Sequence, residues 1–164
     1  MMRKVDFMDN ISFCRITSET DEKIFDILSE LDKSCVGADG WTAESFKSES
    51  AKDNGIVICC YVGAFVIGLI SGYFASDEAD ITSVAVNFNY RRRGIAGHLI
   101  AEFENQLPEY ISEIFLEVRE SNFPAVSLYK KCGFENLHTR RNFYDNPVEN
   151  AIVMRKELKK SNNK

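Results

Sequence analysis

The residues best suited to chemistry lie in ITSVAVNFNYRRRGIAG, residues 81–97, where an apolar β-branched run meets a short polar turn, three arginines and the small residues that open a helix. Gly94, Ala96 and Gly97 carry little or no side chain, so a ligand can approach the main chain closely there. The first N–H groups of a helix have no partner within it, and the helix dipole leaves that end partly positive. A phosphate or diphosphate is the natural guest. Arg91, Arg92 and Arg93 add cationic donors, and Ile95 begins the helix's apolar face. The dinucleotide spacing G-x-G-x-x-G and the P-loop spacing G-x-x-x-x-G-K-S/T are both absent, so the turn alone names no ligand.

A second set of groups lies downstream. Glu117 sits in an otherwise apolar strand, where a charge is costly unless it has a task or a partner, Arg119 being one such partner. Tyr129 falls on the following helix, where an unaided tyrosine is more often core than catalyst. His98 and His138 have no companion at nucleophile or metal spacing. The five cysteines, Cys14, Cys35, Cys59, Cys60 and Cys132, form no C-x-x-C, so no metal site and no disulfide framework is indicated.

Hydrophobic periodicity predicts the elements that must position these groups. Residues 11–17 read as a first strand, and 19–35 as an amphipathic helix with Ile24, Leu28, Leu31 and Cys35 on one stripe, ended by Gly37 and Gly40. Thr42 suits the N-cap of a second, short helix, with Ser45 three residues on. Residues 55–62 and 64–76 form a hairpin, and 80–87 pairs next and leads into the arginine turn. The helix over 94–106 lays Ile95, Leu99, Phe103 and Leu107 on the sheet and leaves His98, Glu102 and Asn105 outward. After strand 113–120, Asn122 caps a helix that takes Pro124 in its first turn and ends at Gly133. Strands 135–141 and 150–158 follow, joined by an Asn-Pro loop. Residues 1–158 make one domain and 159–164 a disordered tail.

At 164 residues, 45% hydrophobic and 27% charged, the chain has the composition of a soluble globular domain able to bury roughly 70% of its unfolded surface. A net charge of −5 argues against direct nucleic-acid binding and suits a cationic substrate. The N-terminus lacks the apolar core of a signal peptide, and the cysteines read as reduced thiols, which places the protein in the cytoplasm. Residues 56–75 approach the length of a membrane span, but their β-branched content and Gly63, Gly68 and Gly72 fit two buried strands better, so no membrane partner is expected.

The pattern Arg91-Arg92-Arg93-Gly94-Ile95-Ala96 resembles the acyl-coenzyme A signature Q/R-x-x-G-x-G/A of the GNAT N-acetyltransferases. Further on, the segment Leu116-Glu117-Val118-Arg119-Glu120-Ser121-Asn122, with Ala125, Leu128-Tyr129 and Cys132-Gly133-Phe134, resembles the bacterial ribosomal-protein-alanine N-acetyltransferase subgroup. That subgroup carries L-E-V-R-x-S-N, A-L-Y and L-G-F at these distances. Arg140-Arg141-Asn142-Phe143-Tyr144 and Glu149-Asn150-Ala151-Ile152-Val153-Met154 are similar to its R-R-N-Y-Y and E-D-A-I-I-M, and Trp41 to Phe46 to an early P-W-S-x-x-x-F. Phe143, Asn150, Ser127 and Gly40 depart from the pattern.

The resemblance implies an α/β fold with a mixed seven-stranded sheet, flanked by about four helices, whose fourth and fifth strands part to admit the coenzyme. It implies acetyl-CoA as co-substrate, coenzyme A as product and direct transfer to a protein N-terminal α-amine, with a ribosomal protein as acceptor. Val84, Ala85 and Val86 would offer backbone groups to the pantetheine arm, residues 91–97 would take the diphosphate, and Asn122 would contact the coenzyme from the opposite side. By the same resemblance Glu117 is the general base and Tyr129 the general acid, while Trp41, Tyr144 and Glu149 shape a groove for the substrate. A free amine or lysine side chain as acceptor, and a non-catalytic acyl-CoA sensor, are the competing readings. The sequence leaves the assembly open between a monomer and a weak dimer.

Overall fold

A computed structural model describes residues 10–159. The expectation of a disordered tail falls almost wholly outside these residues. Seven strands and four helices follow one another as β1 (Ile11–Arg15), α1 (Lys23–Val36), α2 (Ala43–Ala51), β2 (Gly55–Val62), β3 (Phe65–Ala75), β4 (Glu78–Val86), α3 (Ile95–Gln106), β5 (Glu113–Arg119), α4 (Phe123–Lys131), β6 (Glu135–Asp145) and β7 (Val148–Glu157). The sheet order is β1-β2-β3-β4-β5-β7-β6, and only the β4–β5 pair is parallel. The mixed seven-stranded sheet expected from the sequence is therefore present.

The helix signals act as expected. Thr42 Oγ1 accepts from Ser45 N at 3.1 Å, and Asn122 Oδ1 accepts from Ala125 N at 3.3 Å. Gly37 (φ 74°) and Gly133 (φ 95°) take the left-handed backbone that ends α1 and α4. Two boundaries differ. α1 starts at Lys23 because Thr17 and Thr20 close a turn on each other and Asp21 accepts from Lys23 N. The β6–β7 ladder continues through Tyr144↔Glu149 and Asp145↔Val148, leaving only Asn146-Pro147 as the connection. A bulge between Arg140 and Tyr144 absorbs the polar residues there, with Asn142 at φ 50° and its N–H bonded to Asn150 Oδ1 at 3.0 Å.

Both sheet faces are covered, which explains why β2 and β3 are apolar on both sides. Ile56, Ile58 and Ile70 face a core with Leu99, Ile100 and Phe103 of α3. Val57, Cys59 and Leu69 face Phe25, Leu28, Leu31 and Phe46 of α1 and α2. Fully burying one such phenylalanine stabilises the fold by about 2 kcal/mol. No helix among the described residues is long and apolar enough to cross a membrane.

The feature that creates the site is a one-residue bulge. The β3–β4 register passes from Gly72↔Ile81 to Ser71↔Ser83, which leaves Thr82 extra. Strand alternation has period two, so the insertion reverses which residues face which core. Ala79 and Ile81 face the α3 side before it; Val84 and Val86 face that side after it, while Ala85 turns to the α1 side. The parallel β4–β5 ladder runs only from Glu78↔Glu113 to Ile81↔Leu116, and it stops at this bulge. Beyond it the two strands share no ladder, and a cleft of about 1690 Å³ opens between them.

Candidate active site

One end of the cleft is the arginine turn. Asn87 Oδ1 accepts from Asn89 N at 3.0 Å and starts a single 3-10 turn over Phe88–Tyr90. Arg91 then folds back, giving Nε–H to Val86 O at 3.0 Å and a guanidinium contact to Cys35 Sγ at 3.3 Å, so its side chain braces the turn against α1. Arg92 (φ 63°) and Gly94 (φ 81°) are both left-handed and swing the chain into α3. The first intrahelical bond runs from His98 N to Gly94 O. The N–H groups of Ile95, Ala96 and Gly97 therefore lack helical acceptors and face the cleft end. A Cβ on Gly97 would meet nothing within 4 Å, which leaves the approach open. Such a turn fits a diphosphate. Arg93 lies outside the cleft lining, with its guanidinium 5.5 Å over the Tyr90 ring.

The side walls come from the parted strands and α4. Val84 and Val86 line the cleft, whereas the Ala85 side chain is buried in the opposite core and offers only its main chain. Asn122 lines the cleft while its Oδ1 caps α4. Tyr129 lines it too, is 9% exposed, and packs edge-on against Phe134 with centroids 6.0 Å apart. Burial pushes its phenol far above the ordinary tyrosine value, so it stays protonated and able to donate.

Glu117 and Arg119 share the β5 face opposite Leu116 and Val118, which point into the α3-side core. Glu117 is thus exposed to the cleft rather than sunk among apolar groups, and it pairs with Arg140 of β6 at 2.5 Å rather than with Arg119. Arg119 bonds instead to Asp39, to Glu149 at 3.1 Å, and to the carbonyls of Asn146 and Pro147, with Tyr144 4.2 Å beneath its guanidinium. Tyr144 lines the cleft, its phenol pushed up to about 12 by burial and by the charge of Glu117. Glu149 lies behind this wall. Its carboxylate accepts from Ser121 N at 2.6 Å and from Arg119, bonds that hold its pKa below the usual carboxylate value. Trp41 lines the cleft and packs on Phe46 at 5.4 Å.

Two groups escaped the sequence reasoning. Asp32, 1% exposed, accepts from Trp41 N at 2.7 Å and from the Ser83 hydroxyl, tying α1 to β4 just past the bulge. The signal was an acid on the buried stripe of α1, between Leu28 and Cys35. Asp80, directly opposite Tyr73 across β3–β4, also lines the cleft, its strand neighbours Ala79 and Ile81 being buried in the core. Among the described residues no three His, Cys, Asp or Glu side chains converge as a metal site.

A parallel strand pair that forks at a bulge, with free helix amides at one end, is the architecture expected for acyl-coenzyme A transfer. Residues 22–134 match the Acetyltransferase (GNAT) family. The chain belongs to this family. It is 39% identical over 82 residues, 48% of its length, to the [Ribosomal protein bS18]-alanine N-acetyltransferase of Haemophilus ducreyi, and covers 57% of that protein. It is 39% identical over 83 residues, 49% of its length, to an N-alpha-acetyltransferase of Saccharolobus solfataricus, and covers 49% of it. The chain thus spans about half the length of these curated relatives. The crystal structure of the ribosomal-protein-S18-alanine N-acetyltransferase from Escherichia coli shares the fold, with a TM-score of 0.77 at 23% identity over 93% of this GNAT chain and 97% of that one.

Proposed function

We propose that this GNAT chain is an acetyl-CoA-dependent N-acetyltransferase acting on the α-amine of a protein N-terminus, with a ribosomal protein beginning in alanine as the acceptor class. The observation that carries the proposal is the fork itself: unbonded helix amides at one end, with Glu117 and Tyr129 both lining the gap beyond the last β4–β5 pair. The amides of 95–97 and Arg92 receive the diphosphate, with Arg91 bracing the turn behind them, the main chain of 84–86 lies along the pantetheine arm, and Asn122 stands across from it. When bound, acetyl-CoA supplies an activated acyl carbon. Glu117 draws the proton from the acceptor's ammonium, directly or through water, and the Tyr129 phenol gives one to the departing sulfur. Trp41 and Tyr144 flank the entering amine, and Arg119 with Glu149 holds that flank in place. Two relatives named for N-terminal acetylation support the choice of acceptor.

A panel of peptides with varied first residues, run beside polyamines and blocked lysine peptides, tests this. Alanine-first peptides are expected to give the highest kcat/KM, and Glu117→Gln and Tyr129→Phe each to lose on the order of 100-fold or more in kcat. Preference for a free polyamine, or tight acetyl-CoA binding without turnover of any amine, would overturn it.

A further inference from the structure

We propose that Asp80 is a second proton-accepting carboxylate of the acceptor pocket, acting with Glu117, so that the proton leaving the acceptor's ammonium comes to rest on Asp80. The proposal builds on the acetyl-transfer assignment above. Ala79 and Ile81 point into the α3-side core, so Asp80 faces the other side of the sheet, the side on which Glu117 also lies. Asp80 pairs with Phe115 in the parallel ladder, one step before that ladder ends, and Glu117 is two residues further along β5. The two carboxylates therefore flank the point where the strands part, and both line the cleft.

Their surroundings differ. Glu117 is tied to Arg140. Asp80 makes no ion pair among the described residues; it is half-buried and receives a hydrogen bond from Tyr73 of β3. The charged groups around it are Glu117 from β5 and Glu78 on its own strand, with Glu49 of α2 acting on Tyr73 and Arg140 of β6 reaching it only through Glu117. Burial and the two neighbouring glutamates hold Asp80 above its ordinary value, against the Tyr73 bond that lowers it. Glu117 thus meets the ammonium with Arg140 beside it, and Asp80, with no ion pair among the described residues, is placed to receive the proton.

The step balances. An ammonium N–H bond breaks, Glu117 takes that proton and passes it on, directly or through water, and the lasting O–H bond forms on Asp80. The freed lone pair attacks the acetyl carbon, the C–N bond forms and the C–S bond breaks. The sulfur takes the Tyr129 proton, which the remaining extra proton on nitrogen replaces through water, and Asp80 then releases its proton to solvent.

Wild type, Asp80→Asn, Tyr73→Phe and Glu117→Gln decide the matter with two readouts. In kcat/KM against pH at saturating acetyl-CoA, Asp80→Asn is expected to lose on the order of 100-fold and the acidic limb, while acetyl-CoA binding stays within twofold, showing an intact fold. Tyr73→Phe is expected to move that limb to higher pH. In carboxyl carbon NMR titration, which needs no acceptor, the Asp80 midpoint is expected to fall in Glu117→Gln. A loss under threefold, a loss with the acidic limb unmoved, or an Asp80 midpoint indifferent to Glu117→Gln would each overturn the proposal. A wild type inactive on every amine would instead sink the acetyl-transfer assignment, and the titration would still report on Asp80.

Discussion

Replacing Gly72 by alanine probes the geometry that opens the cleft. A Cβ there would stand 2.2 Å from Asp80 O and 2.7 Å from two carbons of the Phe103 ring. Non-bonded carbons settle at about 3.5–4.0 Å, so β4 or the ring must yield by roughly 1 Å. Overpacking of this kind costs about 1–3 kcal/mol, and a backbone oxygen at this distance puts the cost near the upper end. Alanine recovers about 0.5–1 kcal/mol over glycine in an element interior, which leaves a net loss of about 2 kcal/mol. For a chain of this size each kcal/mol moves the melting temperature by about 2–4 °C, giving an expected drop of about 4–8 °C by differential scanning calorimetry. Gly97→Ala is the matched contrast. Its Cβ meets nothing within 4 Å and lies in the first turn of α3, so the melting temperature is expected to rise by up to about 4 °C. A Gly72→Ala protein that melts at or above wild type would refute the packing of β3, β4 and α3 at the bulge.

Two more predictions concern the groups that brace the cleft. Asp32→Ala strands the Trp41 N–H and the Ser83 hydroxyl, at a cost of about 3 kcal/mol, and should lower the melting temperature by about 6–12 °C in a thermal melt; Asp32→Asn should lose less. Glu149, held below its ordinary value of 4.5, stabilises the fold fully above that pH and loses its contribution as pH falls through its folded value. The melting-temperature gap between wild type and Glu149→Gln is therefore expected to be constant near neutrality and to close below pH 4.5; a gap that widens on acidification would contradict the bonds from Ser121 and Arg119.

The elements were legible because their signals are local. Thr42, Asn122 and Gly133 act on neighbours within three or four residues, and the double-sided apolar pattern of β2 and β3 reads directly from composition. The bulge was not legible. Ile81-Thr82-Ser83-Val84 has no glycine or proline to mark it, and only the register against Ser71 and Gly72 shows that Thr82 is extra. The partner of Glu117 was hidden for a related reason: Arg119 is its neighbour in sequence on the same strand, but Arg140 reaches it from the far side of β7, which requires the whole β5-β7-β6 order. The β6–β7 hairpin was longer than its polar composition suggested because ladder bonds, not burial, extend it to Asp145 and Val148. Asp32 was visible as an acid on an apolar stripe, but its two donors come from a loop and a strand far along the chain.

The outer borders of the sheet look unattractive to a visiting strand. β1 is only five residues long, and β6 is almost wholly exposed, carries His138, Arg140 and Arg141, and is broken by two irregularities. Short, charged and kinked edges discourage accidental annexation by another polypeptide. Past Thr82 the flank of β4 facing β5 has no ladder partner even though it lies inside the sheet, so an extended guest that avoids the edges meets main-chain groups beside a seam lined with reactive side chains.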